Sequence, residues 1–174
     1  MISGAVLASG EGQTLVGRRR EVAKFLYSIG KASDPVSFQA FVFVAQRGNA
    51  LSSEYEFDFS RNLPLSVDLT WDLEGLMHDG IIIDERRGNA ILVRDDLGKT
   101  LDRVESPLVE RLATTDPPAV LTLARLIWLT QDRGIPLDEA GRLLVEKGMI
   151  RPECVHAAEE LYKAYFQLQA PCRD

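Results

Sequence analysis

The order of predicted elements indicates an α+β fold that is mostly helical. Two helical segments come first, and residues 55–93 then read as strand, loop, helix, strand, tight turn and strand. From Gly98 onward, apolar residues keep helical spacing almost to the end of the chain. This order is typical of a winged helix-turn-helix domain with a C-terminal helical extension. Winged-helix domains bind DNA or another protein.

The same order divides the chain of 174 residues into four parts. Residues 1–14 are predicted to be a flexible leader, because they carry neither a helical nor a strand period. Residues 15–96 form the predicted winged-helix domain, and residues 97–169 form the helical extension packed on it. Residues 170–174 are a short tail.

Two helices are predicted before the first strand. In the first, from Leu15 to Ile29, apolar residues recur at helical spacing, and Gly30 ends it. The second follows the turn at Asp34-Pro35, has Ser37 as its predicted N-cap and ends at Arg47-Gly48-Asn49. Because apolar residues cover more than one side of the second helix, we expect it to be deeply buried.

A half-buried strand, a third helix and a hairpin are predicted next. Aromatic and acidic residues alternate from Glu54 to Phe59, which is the period of a strand with one buried face. Ser66 is the predicted N-cap of the third helix. The predicted buried stripe of this helix consists of Leu69, Leu73, Leu76 and Met77. Two short strands, Ile81–Ile83 and Ala90–Val93, flank a hairpin turn at Arg87-Gly88-Asn89.

The extension is predicted to contain four helices. The first is indicated by apolar residues at every third or fourth position, namely Leu101, Val104, Leu108 and Leu112. Asp116-Pro117 provides the N-cap and first residue of the second helix. The third begins at Pro136 and ends at Lys147-Gly148, and the fourth begins at Arg151-Pro152.

Charge is unevenly distributed along the chain, whose net charge is −6. Residues 51–104 carry six basic and twelve acidic side chains. Residues 1–50 carry six basic and three acidic ones, and residues 105–174 carry eight and eleven. The region of the third helix and the wing is therefore the most acidic part, and the overall balance argues against a general nucleic-acid coat.

The sequence predicts neither a cofactor nor a metal site. Cys154 and Cys172 are too few for a disulfide framework and lack metal-ligand spacing, so both are expected to be reduced. No Gly-x-Gly-x-x-Gly or phosphate-loop motif occurs. The N-terminal stretch is too short for a signal peptide or a membrane span, so we expect no membrane partner and a cytoplasmic location.

An enzyme active site is not expected either. His78 and His156 are the only histidines, and no neighbouring residues complete a catalytic triad around them. The adjacent acids Asp84-Glu85 and Asp95-Asp96 are predicted at strand or turn ends, where neighbouring side chains point to opposite faces. We therefore expect a non-enzymatic protein. An enzyme whose site is assembled from residues distant in the sequence is a third, less favoured hypothesis, after protein binding and DNA binding.

Several segments carry a family resemblance. The second helix of the YwgA-like winged-helix proteins is similar to Ser37–Gln46, and their strand is similar to Tyr55–Phe57. Their turn and the end of their third helix are similar to Leu63–Leu69 and Leu76–Ile82. The family's closing helices are matched by Leu121–Leu129, Pro136–Lys147 and Arg151–Leu161. The family consists mostly of uncharacterised prokaryotic proteins, and antitoxin-associated SocA-like domains are its distant relatives.

The resemblance implies a winged-helix fold and a regulatory or adaptor role. It carries over no catalytic residues, and its antitoxin-associated relatives suggest protein recognition as readily as DNA recognition. The chain departs from the family at Asn62–Leu65, which lacks the family's Gly and Tyr.

If the domain bound DNA, its third helix would lie in the major groove and its wing against the phosphates. The predicted outward residues of this helix are Asp68, Thr70, Trp71, Asp72, Glu74, Gly75, His78 and Asp79. They include four acids and neither Lys nor Arg, so this face would repel phosphates.

Arginines occur on the first helix and around the wing instead. They are Arg18, Arg19 and Arg20, and Arg86, Arg87 and Arg94. One interpretation is that they are solvated or paired with nearby acids such as Glu21, Asp84 and Glu85. The other is that they form a basic surface for an acidic partner or a nucleic acid.

The two tryptophans also need an interpretation. Trp71 is either an exposed aromatic anchor for a protein interface or a residue covered by the C-terminal helices. Trp128 lies in a segment that is apolar on most sides, and we expect it in the core.

The primary hypothesis is a regulatory or adaptor protein that binds a protein partner through the acidic third helix and the arginine-tipped wing. The candidate contact residues are Arg18, Arg19, Arg20, Trp71, Glu74, His78, Arg86, Arg87 and Arg94. The alternative is a DNA-binding transcriptional regulator that uses the wing and Arg18–Arg20. A homodimer through the C-terminal helices is a further prediction, because Leu121–Leu129 and Val155–Phe166 are rich in apolar residues.

Overall fold

The computed structural model describes residues 11–59, 62–85 and 90–167, with side chains from Gly17 onward. Three helices come first, α1 (Glu11–Ile29), α2 (Pro35–Arg47) and α3 (Val67–His78). An antiparallel pair of strands follows, β1 (Ile82–Glu85) and β2 (Ala90–Val93). The remaining α-helices are α4 (Asp95–Gly98), α5 (Pro107–Ala113), α6 (Pro117–Ile127), α7 (Leu137–Glu146) and α8 (Pro152–Tyr165). The prediction of an α+β chain that is mostly helical is confirmed.

The first helix is longer than its apolar pattern indicates. It begins at Glu11, so residues 11–14 of the predicted leader are helical. A first helical turn is defined by backbone hydrogen bonds and needs no apolar period, which explains why the pattern does not mark it. The other leader residues, 1–10, and the predicted tail, 170–174, lie outside the described residues.

The second helix forms the centre of the core, and its predicted deep burial is confirmed. Every residue from Phe38 to Ala45 is buried. The N-cap is Asp34 and not Ser37, because the Asp34 carboxylate accepts the backbone N–H groups of Val36 and Ser37 at 2.8 and 2.9 Å. Pro35 then takes the first helical position, where its missing N–H has no consequence.

The extended segment before α3 keeps the predicted alternation of burial without forming a strand ladder. Tyr55 and Phe59 are buried, whereas Glu56 and Asp58 are exposed. Its one strand-like pairing within the described residues is an isolated bridge between Asp58 and Leu65. The predicted strand is therefore wrong as a strand, because alternation indicates which side chains are buried and not whether a partner strand exists.

Side chains from α1 and α2 hold this extended segment in place. The Gln46 amide accepts the backbone N–H of Tyr55 and donates to its carbonyl, both at 3.0 Å. One side chain thereby supplies the two hydrogen bonds that a neighbouring strand would give. The Glu21 carboxylate accepts hydrogen bonds from the hydroxyls of Ser52 and Ser53 and from the backbone N–H of Ser52.

The hairpin forms close to its predicted position. In the register, Ile82 faces Val93 and Glu85 faces Ala90. The residues of the predicted turn, 87–89, lie outside the described residues. Ala32, between α1 and α2, exchanges two backbone hydrogen bonds with Ile91 of β2 at 3.0 and 2.8 Å, which ties the α1–α2 connection to the hairpin.

The first helix predicted in the extension is wrong over its first half, residues 101–106. Residues 99–106 are not helical, and helical structure resumes only at Pro107. The residue before a proline disfavours the α conformation, so α5 can begin at Pro107 but is not continued from before it. The backbone N–H of Val104 donates to the Ser28 hydroxyl at 2.8 Å, which fixes the connection on α1.

One hydrophobic cluster spans the predicted winged-helix part and the extension. Helix α6 lies between α2 and α8 in this cluster and continues into a π-helix, Trp128–Asp132. Trp128 is partly buried and stacks on Phe59, with ring centroids 4.9 Å apart and an interplanar angle of 3°. The extension therefore packs directly on the segment that leads to α3.

Candidate functional site

A continuous stripe of exposed side chains runs along the outer face of α3. It consists of Val67, Trp71, Glu74 and His78, which we call the outer stripe. These residues are separated by four, three and four positions, so they lie on one side of the helix. The relative exposure is 66% for Val67 and 63% for Trp71. Of the two interpretations of Trp71, the exposed position is therefore correct.

The exposed charge of α3 is acidic. Asp68 and Glu74 are exposed on the helix and Asp79 at its C-terminal cap, whereas the helix contains neither Lys nor Arg. The His78 ring lies 3.3 Å from the Asp79 carboxylate. The surface around Trp71 is therefore suited to a cationic partner surface and repels a polyanion.

Asp72 does not belong to this surface, which corrects the prediction that it points outward. Its side chain is 1% exposed and lies on the inner face of α3. Asp72 is three positions after Leu69 and four before Leu76, so it lies on the same helical stripe as these buried leucines. The helical position of Asp72 therefore predicts that it points inward, although acidic side chains are usually exposed.

The Asp72 carboxylate is the centre of a hydrogen-bonded cluster. It accepts Arg18 Nε at 2.6 Å, Arg19 Nε at 3.0 Å and the Tyr55 hydroxyl at 2.9 Å. We call these four residues the Asp72 cluster. Arg18 also approaches Asp68, with an N–O distance of 3.4 Å. The cluster connects α1, the extended segment and α3 at one buried point.

The Asp72 carboxylate shifts the pKa values of two members of the cluster, Arg18 and Tyr55. Burial lowers the pKa of Arg18, but the hydrogen bond and negative charge of Asp72 outweigh this effect and raise it. Burial and the neighbouring Asp72 carboxylate raise the pKa of Tyr55, so its hydroxyl remains a donor. The Arg18 guanidinium also lies over the Tyr55 ring, 4.9 Å from its centroid.

The Arg19 guanidinium lies against α3 at Gly75. A Cβ atom at Gly75 would lie 2.7 Å from the Arg19 guanidinium carbon. Glycine inside a helix costs about 1 kcal/mol relative to alanine. An alanine at Gly75 would therefore require the guanidinium of Arg19 to shift from its present position beside α3.

The predicted basic surface is not assembled by the described arginines. Arg18 and Arg19 are bound to Asp72, which matches the interpretation that they are paired. Arg94 is exposed and forms a bidentate pair with Asp96, with N–O distances of 2.6 and 2.9 Å. Arg20 is exposed. The remaining two, Arg86 and Arg87, lie outside the described residues.

Within residues 11–59, 62–85 and 90–167, no group of three or more His, Cys, Asp or Glu side chains is placed to hold a metal ion. His78 and His156 are both exposed and lie on different helices. Cys154 is a free, partly buried thiol, and Cys172 lies outside the described residues.

The apolar residues predicted to mediate dimerisation are used largely within the chain. On α6, Leu123, Leu126 and Ile127 are fully buried, and on α8, Leu161 is 4% exposed. The two helices pack against each other. Dimerisation through these helices stays a prediction, with its most apolar side chains already covered by their own chain.

None of the described helices combines the length and apolar character needed to cross a bilayer. A scan against protein-family models and searches of curated proteins and of solved structures found no match to this chain. The resemblance to the YwgA-like family therefore stays a prediction that rests on the residues alone.

Proposed function

We propose that this chain is a non-enzymatic, cytoplasmic regulatory or adaptor protein that binds a basic protein partner through the outer stripe of α3. In this proposal the first part of the chain is a winged helix-turn-helix of the YwgA-like kind, and residues 97–169 are a helical extension. Helix α3 occupies the position of the recognition helix, but it recognises protein instead of nucleic acid.

The order of elements supports the winged-helix part of the proposal. Three helices are followed at once by an antiparallel hairpin, and the hairpin returns to the connection between α1 and α2 through the bridge from Ala32 to Ile91. The arrangement fits a winged helix whose α1–α2 connection contributes a third, one-residue strand to the wing sheet. Helix α3 then precedes the wing and presents one free face.

The exposure of Trp71 is the observation that carries the proposal. A tryptophan side chain buries a large apolar area when it is covered, and leaving most of it in water forgoes that stabilisation. Val67, one helical turn earlier, extends the apolar surface, so the two residues form a single anchor. Aromatic anchors of this kind dominate the binding energy of many protein interfaces.

The charges around the anchor define the partner. Asp68 and Glu74 are exposed next to Val67 and Trp71, and Asp79 follows at the end of the helix. Arg18 of α1 approaches Asp68 at 3.4 Å, and α3 itself contains neither Lys nor Arg. A complementary partner therefore presents an apolar pocket for the indole ring with Lys or Arg side chains at its rim. Such rim charges accelerate association and set orientation, while the buried ring provides most of the affinity.

The proposal is tested by quantitative affinity purification from the source organism, followed by binding measurements with the purified partner. We expect one protein to be enriched with the wild-type chain and its dissociation constant to rise at least about tenfold in Trp71→Ala. The matched control is Val36→Ala, because Val36 is another exposed apolar residue, 46% exposed, on a different helix. Equal binding by wild type and Trp71→Ala would falsify the proposal.

Duplex DNA provides the second arm of the test. The arginines available for phosphates are fewer than the sequence indicates, because Arg18, Arg19 and Arg94 are paired with carboxylates. We expect no binding of mixed-sequence duplex DNA at physiological salt. Micromolar binding with a steep salt dependence, lost in Arg86→Ala/Arg87→Ala, would replace this proposal with DNA recognition through the wing.

A further inference from the structure

A groove of about 520 Å³ lies between α6 and the start of α8, separate from the outer stripe. Two arginines line it, Arg125 and Arg151, and none of its described lining residues is acidic. Its apolar wall includes Leu121, Met149 and Ile150, and Cys154 also lines it. The groove therefore combines two positive charges with a largely apolar wall.

Arg125 differs from the other half-buried arginines in its partners. Its Nε donates to the carbonyl of Asn62 at 2.8 Å and its Nη1 to the carbonyl of Met149 at 2.9 Å. Both acceptors are neutral, whereas Arg18 and Arg19 share the carboxylate of Asp72. Among the described residues, no carboxylate lies within ion-pair distance of Arg125.

In the described part of the chain, no carboxylate offsets the burial of the Arg125 charge. Burial alone lowers the pKa of Arg125, and no neighbouring negative charge offsets it. A guanidinium has five N–H donors, and Arg125 uses two of them on described residues. The remaining three belong to its two terminal nitrogens, which are the atoms that bind a carboxylate in bidentate geometry.

We propose that this groove binds an organic acid with one carboxylate and a hydrocarbon body. The carboxylate pairs with Arg125, and Arg151 adds a second positive charge. The hydrocarbon body covers Leu121, Met149 and Ile150, which are only partly buried in the chain. A bare inorganic anion would leave this apolar wall in water, which is why the groove favours an amphipathic acid.

The test measures octanoate binding to the full-length chain by isothermal titration calorimetry. We expect a dissociation constant below about 1 mM, with octan-1-ol and inorganic phosphate binding at least about tenfold more weakly. Octanol lacks the carboxylate and phosphate lacks the hydrocarbon body, so each probe removes one half of the proposed recognition. Equal binding of either probe would overturn the proposal in favour of a purely apolar or a purely anionic groove.

Variants at Leu121 separate binding from stability. Leu121 is one helical turn before Arg125, so the carboxylate of Leu121→Glu is placed to pair with the guanidinium and compete with the ligand. Leu121→Gln has nearly the same size without the charge and is the matched control. We expect octanoate to bind at least about tenfold more weakly to Leu121→Glu than to Leu121→Gln, with both variants folded by circular dichroism.

Cys154 provides an independent readout inside the groove. In a Cys172→Ser background, octanoate should slow alkylation of the Cys154 thiol, because the hydrocarbon tail of bound octanoate covers this thiol. If octanoate changes neither the alkylation rate nor the heat signal, the proposal is wrong. Arg125 then has only a structural role, as the donor to the carbonyls of Asn62 and Met149. These measurements use neither the protein partner of α3 nor the Trp71→Ala variant of this chain. A negative result here therefore does not count against the proposed function.

Discussion

The two faces of α3 use their acidic residues in opposite ways. On the inner face, Asp72 is 1% exposed and is held by two guanidinium groups and a hydroxyl. On the outer face, Glu74 is exposed beside an exposed tryptophan. The difference shows that the number of acidic residues in a helix does not give the charge of its exposed face. One carboxylate fixes the helix to the chain, and the other is exposed on the surface that we propose for a partner.

Removing the inner carboxylate should have the largest effect on stability. We expect Asp72→Ala to lower the free energy of unfolding by about 3 kcal/mol, because it removes the buried carboxylate that binds both Arg18 and Arg19. Asp68→Ala is the control on the same helix, since its carboxylate is 53% exposed and should contribute less than about 1 kcal/mol. Urea unfolding of both variants measures the difference, and equal losses would contradict the contrast between the two faces.

Tyr55→Phe should have a smaller effect on the same cluster. The change removes one hydrogen bond to Asp72 and keeps the ring, so we expect a loss of about 1 kcal/mol. A double-mutant cycle with Asp72→Asn should show an interaction energy of similar size. Strict additivity of the two single effects would mean that the hydroxyl and the carboxylate are not coupled in solution.

A second inward carboxylate, Glu21 on α1, sharpens the comparison through its pH dependence. Burial raises the pKa of Glu21, but hydrogen bonds from Ser53 and Ser52 outweigh this effect and lower it. Because the folded-state pKa is depressed, this stabilisation is present above the ordinary glutamate pKa of about 4.3 and is lost as the pH falls further.

Glu21→Gln should remove this part of the acid sensitivity and cost less than about 1 kcal/mol at neutral pH. Unfolding measured at several pH values checks the slope, with Glu56→Gln as the control because Glu56 is exposed on the extended segment. A wild-type curve and a Glu21→Gln curve of the same acid slope would be the contrary outcome.

Trp71→Ala should have the smallest effect of all on stability. The side chain is mostly in water, so we expect a change within about 0.5 kcal/mol. Trp128→Ala is the comparison, because Trp128 stacks on Phe59 and should cost about 2 kcal/mol. Thermal melts of the two variants distinguish a surface indole from a packed one, and a large loss for Trp71→Ala would mean that the ring packs against the fold.

The sequence predicted α3 better than it predicted the segments around it. In the predicted stripe, Leu69, Leu73 and Leu76 are buried and Met77 is partly buried. The cap at Ser66 is confirmed. Helical period and capping are local properties, which is why the sequence predicts them. The strand predicted at Glu54–Phe59 is wrong, since strand formation depends on a distant partner that the local pattern does not contain. The same holds for residues 99–106, whose apolar residues pack without helical structure.

The site was predictable only in part. The exposure of Trp71 was one of two interpretations, and helical spacing alone left both open, because an aromatic residue beside the buried stripe suits either environment. The position of Asp72 follows from helical phase. Its partners Arg18 and Arg19 lie more than 50 residues away in sequence, so no local pattern pairs them with it. The groove at Arg125 likewise depends on carbonyl groups from two separate loops.

The amide of Gln39 has a consequence for recognition. This buried side chain on α2 accepts the backbone N–H of Ser66 at 2.6 Å and donates to the Thr70 hydroxyl at 3.1 Å, so the start of α3 is attached at two points. A helix attached in this way can neither roll about its axis nor slide along it without breaking a buried hydrogen bond. In the proposed complex, the partner would meet a helix whose position is already fixed, and little conformational entropy would be lost on binding.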